Sequence, residues 1–301
     1  MESTANGTMQ AVPRGALARS YAYCERLARR EAGNFYHAFR LLPAHQRRAM
    51  CALYAFLRIA DDLADGTGAS AAKRVALDAW EAALDAALAG CFNHRLHPAL
   101  RDTVVTYRIP RDYLVAVLDG VRLDLEPVAF ATFDDLYPYC YRVASAVGLA
   151  CIHIWGFRDP QAKVHAEQAG IAFQLTNILR DLAEDAARGR VYLPRMDLER
   201  FGYSEQELRQ GARNEQFRAL MRFEAERAHR YYRDAEALLP LLPAHGRAVF
   251  QVMLHTYRGL LLEIERRDFD VFSGRVSLGR WRKLALVLAA LPTRCGWGVG
   301  P

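Results

Sequence analysis

"FQLTNILRDLAEDAARGR", residues 173–190, decides how this chain folds. Read at the helical period, Gln174, Asn177, Asp181, Asp185 and Arg188 fall at i, i+3, i+7, i+11 and i+14 and share one face. Ile171, Phe173, Leu175, Ile178 and Leu179 surround that stripe with apolar bulk. A polar stripe set among large apolar side chains has to be solvated or liganded, because a buried polar group without a partner is costly.

A second stretch repeats the pattern. In "YAFLRIADDLADG", residues 54–66, Tyr54, Arg58, Asp61 and Asp65 lie on one stripe, while Asp62 points aside by roughly 100°. Taken alone this is a solvated acidic helix end. Two carboxylates at i, i+4 repel by roughly 0.2–0.5 kcal/mol, and at a helix C-terminus they also oppose the helix dipole. A divalent cation between them reverses the sign, and Mg²⁺ suits carboxylate pairs whose remaining positions are filled by substrate phosphates. Arginines stand close to both stretches: Arg58 at the first, Arg180 and Arg188 at the second. Two acidic helices facing each other in a bundle would form a metal-bridged anion site.

The rest of the chain reads as all-α, about ten helices in one domain over residues 15–301, with residues 1–14 as a flexible leader. Helices are expected in "ALARSYAYCERLARR", in "NFYHAFRLL" up to Pro43, in "HQRRAMCALYAFLRIADDLAD" up to Gly66, and in "SAAKRVALDAWEAALDAALAG" up to Gly90. Pro110 opens another. Thr132 caps the next, with Asp134 and Asp135 in its first turn. Asp159 and Pro160 form an N-cap and N1 pair for the helix carrying Asp181. Three more are expected near 204–238, 242–270 and 278–291. No alternating strands and no hairpin signals appear.

Composition narrows the classes. Of 301 residues 52% are hydrophobic, enough for a core. The net charge is +6 and is almost entirely arginine, since only Lys73, Lys163 and Lys283 are lysines. Arginine suits phosphate and carboxylate. Without basic blocks or zinc-finger spacing, nucleic acid is the weakest candidate partner, behind diphosphates and an anionic membrane surface. The six cysteines form no CxxC pair, which fits buried thiols in a reducing compartment. "MESTANGTMQAVPRG" has no apolar signal core, and "LALVLAALP" is too short to span a bilayer. The expected location is cytoplasmic, with peripheral contact at the inner membrane face.

"YCYRVASAVG" places Tyr139, Val143 and Val147 at i, i+4 and i+8, beside the small residues Ala144 and Gly148. Ordinary helix packing accounts for that pattern, and so does a long apolar ligand. With "YAFLRIADDLAD", "FQLTNILRDLAEDAARGRVYLP" and "TYRGLLLEIERRDFDVFSGRV", it makes the chain from about Tyr23 to Leu288 resemble the squalene/phytoene synthase family of head-to-head prenyltransferases. The resemblance implies a class I isoprenoid synthase bundle around a central pocket. It implies Mg²⁺ held by Asp61 and Asp65 on one side and by Asn177, Asp181 and Asp185 on the other. It implies Tyr139 as acceptor or relay for the proton lost on cyclopropane closure. Tyr54, Arg58, Gln174, Arg188, Arg190, Tyr257 and Arg275 match family positions near the diphosphates. NADPH and downstream isoprenoid enzymes are implied as further partners for some members.

The chain departs from the family at Gly33, where many members carry a cation; Arg30 and Arg40 are the nearby substitutes. Phe35 and Phe39, at i and i+4, are expected to floor the prenyl pocket and favour the fifteen-carbon chain. The reading preferred from sequence is therefore condensation of two farnesyl diphosphates to presqualene diphosphate or squalene. Condensation of two geranylgeranyl diphosphates to phytoene is the alternative. A non-catalytic scaffold is the reading from another class, but it would be free to lose its aspartates, and all four stand. A single-substrate cyclase usually carries Ser/Thr and Glu after the asparagine, where this chain has Asp181 and Asp185.

Overall fold

A computed structural model describes residues 13–295, apart from the side chains of residues 34, 35 and 280–284. The expected leader therefore lies almost wholly outside the described residues, and Arg14 already opens the first helix. Every regular element among the described residues is helical: α1 (Arg14–Glu31), α2 (Asn34–Phe39), α3 (Ala44–Asp65), α4 (Ser70–Leu88), α5 (His97–Tyr107), α6 (Arg111–Leu123), α7 (Phe133–Cys140), α8 (Ala146–Trp155), α9 (Ala162–Ala187), α10 (Arg195–Arg200), α11 (Glu205–Arg209), α12 (Glu215–Glu236), α13 (Ala244–Arg266), α14 (Arg280–Ala289) and α15 (Leu291–Arg294). A π-helical turn, Tyr141–Ser145, joins α7 to α8.

The two acidic stretches lie on the two helices that organise the bundle. The α9 helix runs for 26 residues and packs against α7, α8, α11, α12, α13 and the π turn. Ile171, Leu175, Ile178 and Leu179 are buried on it, as their spacing requires. Helix α3 packs against α1, α4, α5, α6 and α8, so α8 touches both acidic helices. Pro43 immediately precedes α3, and the Gly66 N–H closes its last turn on the Asp62 carbonyl at 3.1 Å. The Thr132–Asp135 capping box expected from sequence is present at α7.

Several boundaries differ from the sequence reading. The α9 helix begins at Ala162, because Asp159 closes a tight turn: its Oδ1 accepts the Gln161 N–H at 2.8 Å, and the Ala162 N–H reaches the Asp159 carbonyl at 3.0 Å. The expected helix near 204–238 is two helices. Gly211, at φ 67°, ends the first, and Asn214 caps the second by accepting the Phe217 N–H at 2.9 Å. Helix α5 has no counterpart in the sequence reading. Its run Thr103–Thr106 is all β-branched and a weak helix former, but Thr103 and Val104 are buried as α5 packs on α1, α3 and α4.

A buried ionic triad ties α10 to α12. The Arg227 guanidinium donates to Asp197 at 2.9 Å and to Glu224 at 2.7 Å, and it lies over the Phe133 ring at 4.5 Å. Two carboxylates share one guanidinium, and burial pushes the Glu224 carboxyl up to about 7.

Candidate active site

The carboxylates predicted from sequence stand on the last turns of α3 and α9. Asp61 and Asp65 open to solvent, and neither has a hydrogen-bond or ion-pair partner among the described residues. The Asp61 carboxyl, though open to solvent, is pushed up to about 6, first by the mass of low-dielectric protein behind it and then by the charges of Asp65, Asp62 and Asp124, against the opposing pull of Arg58. Arg58 pairs with Asp62 at 2.6 Å, so Asp62, off the expected stripe, is the residue that anchors it. The Arg58 Nε is buried and unpartnered among the described residues. Tyr54, one turn earlier, packs against the core, and burial raises its hydroxyl pKa.

On α9, Asp181 is held from two sides. The Arg180 Nε donates to it at 2.8 Å and the Arg275 Nε at 3.0 Å, and despite partial burial these guanidiniums keep its carboxyl below the usual range. Asp185 has no such clamp. Burial and the charge of Asp181 push it up to about 6. Gln174 accepts from Asn177 at 3.2 Å, and Tyr257 hydrogen-bonds Asn177. Arg188 does not join this group: it caps α9, is exposed and pairs with Glu184 at 2.8 Å.

A fifth carboxylate, not singled out from sequence, links the two sets. Asp124, at the C-cap of α6, raises the pKa of both Asp61 and Asp185 through its charge. Its side chain accepts from Tyr139 at 3.0 Å and from Tyr192 at 2.7 Å, and its carbonyl accepts from Arg190 at 2.7 Å. Tyr139 and Tyr192 stack with centroids 5.1 Å apart. Burial raises the pKa of Asp124 and, more strongly, that of Tyr139, which therefore keeps its proton at neutral pH.

Val143 and Val147 line an apolar cavity, while the Tyr139 hydroxyl reaches Asp124, and a π turn over Tyr141–Ser145 interrupts the α-helix between Tyr139 and Val147. Two glycines make room for the turn. A Cβ on Gly120 would come within 2.6 Å of the Val143 Cγ1, and one on Gly170 within 2.4 Å of the Ser145 Cα.

Two cavities flank α13. One, of 160 Å³, is walled by the π turn, α8, α9 and α13, with Gln174 and Asn177 at its polar side and Trp155 and Phe250 among its apolar lining. The other, of 690 Å³, lies among α2, α13, α14 and α15, with Arg180, Arg275 and Arg40 on its wall. Arg40, not Arg30, is thus the cation beside a cavity; Arg30 pairs with its neighbour Glu31. Gly33 sits at φ 49°, where a side chain would strain the backbone. Phe39 is buried at 4% exposure but lines neither cavity. The Phe35 side chain lies outside the described residues.

Among the described residues, no three His, Cys, Asp or Glu side chains converge tightly enough to hold a metal by themselves. The donor set nonetheless fits Mg²⁺. Each i, i+4 pair offers hard oxygens whose mutual repulsion a cation would relieve, and Mg²⁺ commonly takes one or two carboxylates and completes its shell with water and phosphate oxygens. Two carboxylate helices with arginines and adjoining apolar cavities define the helical-bundle type of isoprenoid synthase.

The chain belongs to the squalene/phytoene synthase family, whose sequence pattern matches residues 28–282. It is 37% identical over 287 residues to a 15-cis-phytoene synthase of Synechococcus elongatus, covering 91% of this chain and 93% of the relative. It is 38% identical over 292 residues to a phytoene synthase of Arthrospira platensis, covering 91% and 94%. Among solved structures, a dehydrosqualene synthase in complex with ligand superposes with a TM-score of 0.85 at 29% identity, covering 95% of this chain and all of the other. The squalene synthase HpnC from Alicyclobacillus acidocaldarius gives 0.81 at 29% identity, covering 86% and 97%.

Proposed function

We propose that this protein condenses two geranylgeranyl diphosphates head to head to phytoene. The observation that carries this reading is the 37–38% identity, over nine-tenths of each chain, to relatives named phytoene synthase, against 29% to the dehydrosqualene and squalene synthase structures. One part of the preference for farnesyl diphosphate drawn from sequence was Phe35 and Phe39 as a pocket floor, and Phe39 lines neither cavity. The squalene-type reaction remains the second reading, on the strength of the two structural likenesses.

In this reading Asp61 and Asp65, with Asn177, Asp181 and Asp185, would hold Mg²⁺, which when bound supplies positive charge to the departing diphosphate. Arg58, with its unpartnered Nε, and Arg180, Arg190 and Arg275 donate to phosphate oxygens. The apolar cavity walls keep water from the allylic cation. On ring closure a C–H bond breaks, its electron pair forms the cyclopropane, and the proton passes to the Tyr139 oxygen as Tyr139 gives its own proton to Asp124. Loss of a second proton after rearrangement yields the alkene, a route that consumes no NADPH.

The test is incubation of purified protein with Mg²⁺ and either geranylgeranyl or farnesyl diphosphate, with and without NADPH, followed by lipid identification. The expected product is phytoene, formed without NADPH. A C30 hydrocarbon formed in preference would move the assignment to the squalene type.

A further inference from the structure

Met253 and Tyr257 are the residues of α13 that line both cavities, and they sit one helical turn apart. Tyr257 is pinned, stacked on Phe173 with centroids 4.5 Å apart and planes 15° apart and hydrogen-bonded to Asn177. Met253 is half-buried and has only apolar packing to hold it. Its side chain is unbranched, with three rotatable bonds, so it can repack where a branched residue cannot.

The smaller cavity cannot take a prenyl chain as it stands. Its 160 Å³ lies below the roughly 300 Å³ at which ligand pockets usually begin. Trp155, Leu238 and Phe250 on its wall are each at most 2% exposed and belong to the packed core. Its polar side is fixed by Gln174 and Asn177. Toward the 690 Å³ cavity the separating residues are Met253 and the pinned Tyr257, so growth in that direction runs through Met253.

We propose that Met253 is a movable partition between two chain-holding cavities and a specificity-determining residue for prenyl chain length. This rests on the reading of the protein as a prenyl diphosphate condensing enzyme. When Met253 swings toward the larger cavity the smaller one lengthens, which admits a twenty-carbon chain beside its partner. A bulky, stiff residue in its place closes the septum and leaves room for the shorter chain only.

The test compares geranylgeranyl and farnesyl diphosphate in wild type, Met253→Leu, Met253→Ala and Met253→Trp, as the ratio of kcat/KM values within each preparation. A ratio taken within one preparation does not depend on the fraction folded. The same ratio is measured for Kd of the unreactive thiolodiphosphate analogues with Mg²⁺, which needs no turnover. Met253→Trp should lower the twenty-to-fifteen-carbon ratio by about tenfold or more, in kcat/KM and in binding. Met253→Leu should keep it, and Met253→Ala should not lower it. Ratios within twofold of wild type for Met253→Trp would overturn the partition. Failure of the wild type to turn over either substrate would overturn the functional reading instead, and the analogue ratios would still decide the partition.

Discussion

The two carboxylate helices carry the same Asp-x-x-x-Asp spacing in opposite electrostatic settings. On α3, Asp61 and Asp65 face solvent with no partner among the described residues, and the arginine on their stripe, Arg58, is paired to Asp62 instead. On α9, Asp181 is gripped by Arg180 and Arg275, while Asp185 one turn on has no ion-pair partner among the described residues and feels only the more distant charge of Arg190. The α3 pair therefore holds unbalanced negative charge that a cation would neutralise. The α9 pair is half neutralised already by the guanidiniums of Arg180 and Arg275. The same spacing thus carries different net charge according to the arginines around it.

The largest expected effect treats the helices as equals. Asp61→Asn and Asp181→Asn should each lower turnover by about a hundredfold or more, since in the proposed reading each removes a carboxylate that would hold the Mg²⁺ facing the departing diphosphate; steady-state rates at saturating Mg²⁺ check this. Near-normal activity in either variant would remove that helix from the chemistry.

The next separates Tyr139 from the metal residues. Tyr139→Phe and Asp124→Asn should still release the first diphosphate but form little cyclopropyl product, because the proton then lacks its path. Diphosphate release measured against coupled lipid is the readout. Full coupling in both would leave Tyr139 and Asp124 as packing residues.

Stability sharpens the contrast, because the sign should differ between the helices. Asp61 has its pKa raised from 3.8 to about 6, so at pH 7.5 its charge costs stability in the metal-free protein. Asp61→Asn should stabilise that form by roughly 1 kcal/mol once solvent screening is allowed for. Asp181 has its pKa lowered, so its charge contributes stability above the usual carboxylate pKa. Asp181→Asn should destabilise by roughly 1 kcal/mol, the scale of a lost charged hydrogen bond partly exposed to water. Chemical denaturation in EDTA checks both, and equal signs would break the comparison.

The smallest effect lies away from both helices. Glu224 is raised from 4.5 to about 7, so the folded state binds more protons than the unfolded one between those values, and stability falls as pH rises through them. The melting temperature of wild type should drop between pH 5 and pH 8 by more than that of Glu224→Gln. Parallel curves would mean that Arg227 already compensates the charge.

The acidic stripes were legible because a helix repeats its face, and buried apolar neighbours made the polar positions conspicuous. The same periodicity hid the π turn, since nothing in "YCYRVASAVG" signals it; the room for it comes from Gly120 and Gly170 on neighbouring helices. Asp124 and Tyr192 lie off any stripe, one at a helix end and one in a loop, and meet only through tertiary packing. Arg188 looked like part of the site because its phase fits, but the end of α9 turns it to Glu184. The short cap signals at Gly211 and Asn214 were present in sequence and fix the break between α11 and α12.

In the proposed reading neither carboxylate pair completes a metal site alone, and a diphosphate would join them. Calorimetric titration of Mg²⁺ into the protein with and without inorganic pyrophosphate tests it most directly. Weak Mg²⁺ binding alone, strengthened at least about tenfold by pyrophosphate and lost on that gain in both Asp61→Asn and Asp181→Asn, is the predicted result. Equally tight Mg²⁺ binding with and without pyrophosphate, or a gain that survives either substitution, would contradict it.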